Sequence, residues 1–545
     1  MDSLASLKRK WAYLPFSAFL ALLRAWALIF YRGEQAELGL FFARWAVYTA
    51  LFALLLFGAD ALATKRSVQE RLFSGESAPD GKRVFILCFV SLALLWLPHL
   101  LLKYPGAICM DSWEMLNQFR LRSITDFHSV FFTLLLGGLT ETFAKLGSAG
   151  TGLFILVFAQ YLSYVLAFAY SLRLIRCRMG ASRGVTALVL LSYIVNPYII
   201  AYHGVVIKDS FYCAYALIFT LSLMELALDE EGFCRSWRAL GLMGISICAM
   251  YLTRKNGLYV VTAVLLCGGT GVLCKKQRLK PLAVMAASLA LAMVFNTALE
   301  KRFHVEKVNN PSALSLPIQQ TARYVKYYGE EISQEEAELL REVLAYDWLA
   351  EAYDPRIADP VKGMYRGQGE TTAEYIRLWL KQFARRPMCH LSATMEQNHY
   401  LFVPEYNDNC AFYRDTDVCI ELGQEMRISD YIGLDKTYFP EPEKLSGAKQ
   451  ALVDFYALLH RLPITGWLGN VSLGFYVFAS LLMLAAMNKM KWLLQFMPGI
   501  VAVLFVVVGP VIYGHPRYMF PVIYTLPALT VYVMRGFKDK LEKKL

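Results

Sequence analysis

Twelve stretches of the chain are apolar almost without a break: 12–31, 38–63, 84–102, 151–172, 184–203, 210–228, 238–253, 257–273, 281–298, 467–486, 492–513 and 516–534. A hydrocarbon core of roughly 30 Å needs about 20 apolar residues of helix, so each stretch is a predicted membrane span; 238–253 is the short one. Pro197 and Pro510 fall inside spans, where neighbouring helices can satisfy the freed backbone groups, and are read as kinks. Between the third and fourth spans, 103–150 is polar at first. From Ser129 to Leu146 it becomes a mixed stretch with Phe131, Phe132, Leu135 and Leu136, which reads as an interfacial helix in the headgroup plane.

The pattern changes at 299–466. Ser333-Gln334-Glu335-Glu336 reads as a capping box opening a helix with Leu339, Leu340, Val343, Leu344 and Trp348 on one face. Thr371-Thr372-Ala373-Glu374 opens another, striped by Tyr375, Leu378, Trp379 and Phe383 and stopped before Pro387. The 402–446 stretch, rich in Pro, Asp, Asn and Gly, reads as irregular. The expected organisation is an all-α membrane protein of about twelve spans. Residues 1–298 form a nine-span bundle with an outer loop at 103–150, 299–466 a small, mostly helical extracytoplasmic domain, and 467–545 three closing spans with a basic tail.

Charge orients this arrangement. Lys and Arg crowd the N-terminus, the 64–83 loop, the 173–183 and 235–238 loops, 275–280, 489–491 and the C-terminal tail. Alternating the spans puts all of them on one side, which the positive-inside bias makes cytoplasmic. A cell-membrane protein with both termini in the cytoplasm is expected. The net charge of +11 divides unevenly: 301–466 holds 19 basic and 25 acidic residues. The basic excess therefore belongs to loops facing anionic lipid, and no basic stripe is left for nucleic acid. The first span is read as uncleaved, because it is long and contains Arg24. The eleven cysteines show no metal-ligand spacing; Cys410 and Cys419 could pair in an oxidising compartment.

The remaining ionisable residues sit at span ends on the face opposite the basic loops. These are Asp111, Glu114, Asp126, His128, Lys208, Asp209, Arg254, His515 and Arg517. Charges at membrane depth are costly and tend to line a site or pathway. Asp111 and Glu114, three apart, would face one way on a helical turn. A carboxylate beside lipid can be tuned towards a general base, although Asp111 could instead cap the helix after it. Asp126 and His128 read either as a cap with an interfacial histidine or as site residues. Lys208, Arg254 and Arg517 run against the positive-inside bias. They either snorkel to headgroups or neutralise a phosphate, Arg as a bidentate fork and Lys as a point charge. Tyr202, Tyr212, Tyr251, Tyr259 and Tyr513 suit an interfacial aromatic belt better than a sugar-stacking platform.

Taken in order, these segments resemble the GT-C class of integral-membrane glycosyltransferases, and more closely an uncharacterised bacterial family of multi-pass GT-C-like proteins. The matching motifs are Tyr104-Pro105-Gly106 with Asp111, Asp126-Phe127-His128, Lys208-Asp209 and Arg254-Lys255-Asn256-Gly257. Leu316-Pro317-Ile318-Gln319-Gln320 with Arg323, the Trp379-to-Pro404 stretch and Arg517-Tyr518 complete the set. Such proteins usually show His-Pro in the first loop, whereas Ser129 follows His128 here. The resemblance implies transfer of a sugar from a polyprenyl-phosphate donor to a glycan, lipid or protein acceptor on the outer face. It makes Asp111 the base and Arg254 with Arg517 the phosphate clamp. Glu114, Asp126, His128, Lys208, Asp209, Asn256 and His515 then shape the site. Metal dependence varies in the class; no metal site is assigned, although Asp111 and Asp126 could in principle hold a divalent ion. The rival reading is a multi-pass transporter or lipid flippase. Against it stand charges at span ends rather than the midplane and the absence of a visible repeat.

Overall fold

A computed structural model describes residues 11–34, 37–73, 80–272, 279–308, 311–406, 446–488, 490, 493–509 and 512–542. The protein is built from helices. Seven are long and apolar enough to cross a membrane: Tyr13–Arg32, Leu38–Ala63, Gly81–Leu102, Ala149–Arg178, Lys208–Leu228, Leu279–Arg302 and Pro516–Glu542. Five shorter apolar helices, Arg183–Val195, Trp237–Thr253, Asn256–Gly268, Val471–Met487 and Leu494–Val508, fall on the other apolar stretches. Pro197 breaks its span instead of bending it. One helix stops at Val195, and Asn196 caps a new one, Pro197–Tyr202, by accepting hydrogen bonds from the Tyr198 and Ile199 amides. Pro510, Cys410, Cys419 and most of the 402–446 stretch lie outside the described residues.

The chain divides into two compact units. The first joins residues 1–55, 309–408 and 502–519. Its 311–406 segment has a core of its own, with Ile318, Leu340, Val343, Leu349, Tyr375 and Leu378 packed together. Ser333 caps the helix Gln334–Val343, as expected, by accepting from the Glu336 amide. Glu336 does not complete a capping box, however. Its buried carboxylate turns to Arg385 and Lys381, each at 2.9 Å. The expected stripe also ends early: the chain turns after Leu344, and Trp348 lies exposed on a separate helix, Tyr346–Ala352. The second helix starts two residues before Thr371, with Gln368 as its cap, and ends at Arg385 before Pro387. In the same unit Arg24 pairs with Glu405 at 2.5 Å, and the Tyr513 hydroxyl lies 2.7 Å from His399 Nε2.

The second unit joins residues 56–308, 409–501 and 520–545. Ala149–Arg178 and Lys208–Leu228 form its centre, with 67% and 78% of their apolar windows buried, against 22% for Gly81–Leu102 and 17% for Leu279–Arg302. The large apolar side chains left exposed on the peripheral helices, such as Leu94, Leu266 and Leu291, form the kind of surface that only an apolar surrounding tolerates. The mixed stretch after Ser129 is the helix Val130–Lys145, packed along Ala149–Arg173. Gly152 makes that approach close: a Cβ there would stand 2.4 Å from the Leu139 carbonyl oxygen. Tyr202 and Tyr212, expected in an aromatic belt, are instead buried in this unit.

Candidate functional site

Two very short strands position the charged residues of the second unit. Ala107–Ile108 and Val205–Val206 pair in parallel, Ala107 opposite Val205 and Ile108 opposite Val206. Each leads directly into a helix, Met110–Leu121 and Lys208–Leu228. Parallel pairing therefore sets two helix N-termini side by side, one bearing Asp111 and the other Lys208 and Asp209. Local chemistry holds the strands in place. Gly106 has φ +134, and a Cβ there would lie 2.6 Å from Val157 Cγ2, so glycine is required on both counts. Buried Gln160 directs its amide nitrogen at the carbonyls of Tyr202, His203 and Val205, and Ser112 Oγ donates to the Val206 carbonyl at 2.5 Å.

The ion pairs follow from this register. Lys208 Nζ donates to Asp111 Oδ2 at 2.7 Å and to His128 Nδ1 at 3.3 Å. An ammonium can only donate, so Nδ1 accepts and the proton of neutral His128 sits on Nε2. That nitrogen lies 3.0 Å from Glu114 Oε2 but out of hydrogen-bond alignment. Gln118 orients Glu114 by donating to it at 3.3 Å, and its own carbonyl accepts from the Thr125 amide. Beside this chain Arg254 pairs with Asp209 and lies over the Tyr212 ring. The groups are largely withdrawn from solvent: Lys208, Asp209 and His128 side chains are 12%, 4% and 5% exposed.

Asp111 is not a cap. Cys109 occupies the cap position of its helix, and the carboxylate goes to Lys208. Lys208 pairs with Asp111 and is half-buried at a helix N-terminus, where the backbone dipole opposes a cation. Such a charge persists only with a carboxylate beside it, which Asp111 supplies.

Asp126 stands apart from this cluster in its contacts. It accepts from the Val308 amide at 3.0 Å and from Lys255 and Lys307, each at 3.4 Å. Burial alone would raise its pKa, but the Val308 amide and the two lysines bring it below the usual aspartate value. Its loop is also tied by main-chain bonds between Ile124, Asp126 and Glu306. Ser129, in the position where the resembled family has proline, caps the next helix and donates through Oγ to the Leu252 carbonyl at 2.5 Å, joining the His128 loop to the strand-like turn at Arg254. Half-buried Asn256 opens the following helix. Gly257 permits the turn before it, since a Cβ would meet the Tyr251 amide at 2.8 Å. His515 and Arg517 are buried residues of the first unit, so the geometry of the second unit describes the other eight candidates. Among the described residues no group of three or more His, Cys, Asp or Glu is placed to hold a metal ion.

The supporting polar residues, Gln160, Ser112, Gln118 and Lys307, were missed in the sequence. Gln160 alone gave a signal, being a lone amide in the middle of an apolar span, where polar residues need a reason.

Residues 121–544 match the model of a family of unknown function, DUF6020. The chain belongs to that family. Asp126, His128, Lys208, Asp209, Arg254, Asn256, His515 and Arg517 lie inside the DUF6020 match, and Asp111 with Glu114 just before it. A search of curated proteins gives no match. Among solved structures, the chain is similar to the archaeal oligosaccharyltransferase AglB from Archaeoglobus fulgidus, solved with an inhibitory peptide and a dolichol-phosphate. The identity is 11%, the TM-score 0.32, and the match covers 85% of this chain and 51% of that one. The chain thus spans about half the length of that protein.

Proposed function

We propose that this protein is a membrane glycosyltransferase that moves a sugar from a polyprenyl-phosphate-linked donor to an acceptor on the outer face of the cell membrane. The observation that carries the reading is the half-buried Asp111–Lys208–His128 chain beside Arg254–Asp209 at the ends of apolar helices. An amphiphilic donor needs its head in a polar pocket and its tail in lipid, and span ends offer both.

In the proposed reaction the acceptor hydroxyl attacks the anomeric carbon on the face opposite the phosphate. The bond from that carbon to the phosphate oxygen breaks, its electron pair stays on the phosphate, and the hydroxyl proton passes to Asp111. Lys208 stands 2.7 Å from the carboxylate that takes that proton. Lys208 and Arg254 carry the two cations suited to the charge growing on the departing phosphate. His128 holds Lys208 in position, and Glu114 stands on the far side of the His128 ring. Direct displacement of this kind inverts the sugar stereochemistry.

The test is incubation of the purified full chain with a panel of polyprenyl-phosphate sugars, following transfer or hydrolysis by lipid release. Turnover by wild type and a loss of about 10²–10⁴-fold in Asp111→Asn, with donor still bound, is the expected result. Full activity in Asp111→Asn removes it as the base, and no turnover of any donor removes the reading.

A further inference from the structure

The second unit also contains a groove of about 620 Å³ between the helices Val130–Lys145, Lys208–Leu228, Trp237–Thr253 and Leu279–Arg302. Its walls are apolar, with Phe131 and Phe211 on one side and Gly241, Gly244 and Leu291 on the other. At one end the lining residues follow closely in the chain on those of the charged cluster. Phe131 comes three residues after His128, Phe211 two after Asp209, and the lining pair Leu252-Thr253 leads into Arg254. The other end is marked by Trp237. At 1.5 Å rise per residue, the wall from Thr253 to Trp237 is about 24 Å long.

We infer that this groove holds the isoprenoid tail of the lipid donor and that Gly241 sets the length of tail it admits; the inference rests on the donor class proposed above. An amphiphile suits the groove, because the segments that carry the half-buried cations Lys208 and Arg254 lead into a largely apolar channel. A single branched chain suits a channel walled by aromatic rings and floored by small residues. The floor is made where Trp237–Thr253 and Leu279–Arg302 meet: a Cβ on Gly244 would lie 2.7 Å from Ser288 Oγ, the close approach that small residues allow between membrane helices. Gly241, one turn further from Arg254, is different. A Cβ there meets nothing within 4 Å, so a larger side chain grows into the channel without striking the fold. It would block the channel about 20 Å from Arg254, counting the helical rise. Long tails would feel the block and short ones would not.

The experiment uses the full chain in lipid nanodiscs and a long-chain polyprenyl phosphate bearing a diazirine at the tail end, with no sugar attached. Photolabelling is expected on the Leu240–Ile245 segment in wild type and in Gly241→Ala. In Gly241→Phe it falls by at least about tenfold, as expected from displacing two or more buried methylenes. Competition by geranyl phosphate, whose tail ends above the block, stays unchanged in both variants. Equal labelling in Gly241→Phe overturns the inference, as does equal labelling by a diacyl phospholipid probe. The readout needs no sugar transfer, so groove labelling without turnover would reject the glycosyltransferase reading and leave the tail site standing.

Discussion

Two sets of buried charge in this protein can be set side by side. In the first unit, Glu336 is 5% exposed and receives Arg385 and Lys381 from a neighbouring helix. In the second, Lys208 is 12% exposed and receives Asp111 and His128. Both are ion pairs joining distant segments, yet they differ in kind. Glu336 sits in the first turn of its helix, where the dipole favours an acid, and its partners lie over a compact apolar core. Lys208 sits where the dipole disfavours it, at the junction of two parallel strands with two helices, and its own helix goes on to line a groove. An ion pair that agrees with every local preference is structural. One that opposes them, beside a cavity, is a candidate for chemistry.

The sharpest way to break this comparison is to remove one carboxylate from each set. Asp111→Asn should lower transfer by about 10²–10⁴-fold, the usual worth of a positioned base, with little change in thermal unfolding. Glu336→Gln should do the reverse, leaving transfer intact and costing about 2 kcal/mol of stability, as for a charge-assisted hydrogen bond. If both variants lose activity equally, the distinction fails.

Asp126 offers a test by pH. Its folded pKa lies below the unfolded value of about 3.9, so its contribution is present above that value and is lost as pH falls through the lower folded pKa. The stability gap between wild type and Asp126→Asn, measured by thermal unfolding in detergent, should therefore be constant near neutrality and shrink as the pH is taken below 4. A gap independent of pH would show that the Val308 and lysine contacts do not act through the carboxylate charge. The smallest effect is expected at Ser333→Ala, about 1 kcal/mol from a lost helix cap, with no change in donor binding. A larger loss, or any loss of transfer, would mean that the 311–406 segment is coupled to the chemistry more tightly than its own core implies.

Much of this was readable in the chain. Hydropathy placed an apolar helix on each of the twelve stretches, because helices in lipid must satisfy their own backbone and carry apolar surface. It failed where local chemistry intervened. Asn196 caps a new helix at Pro197, and Leu344 ends the helix that was expected to reach Trp348. The aromatic belt reading failed for Tyr202 and Tyr212 because residue type does not say which face of a helix meets lipid. At the site, Asp111, Lys208, Asp209, His128 and Arg254 stood out as charges at span ends, but their pairing did not.

By itself, then, the sequence determined that this is a helical membrane protein, where its apolar helices fall, and which charges stand at their ends. Those follow from composition and period, which act over a few turns of chain. Only the tertiary structure decided that two dipeptide strands, too short to register in any pattern, bring Asp111 against Lys208, and that Gly241 lines a groove between helices. Partners nearly a hundred residues apart are chosen by packing, and packing depends on every neighbour at once.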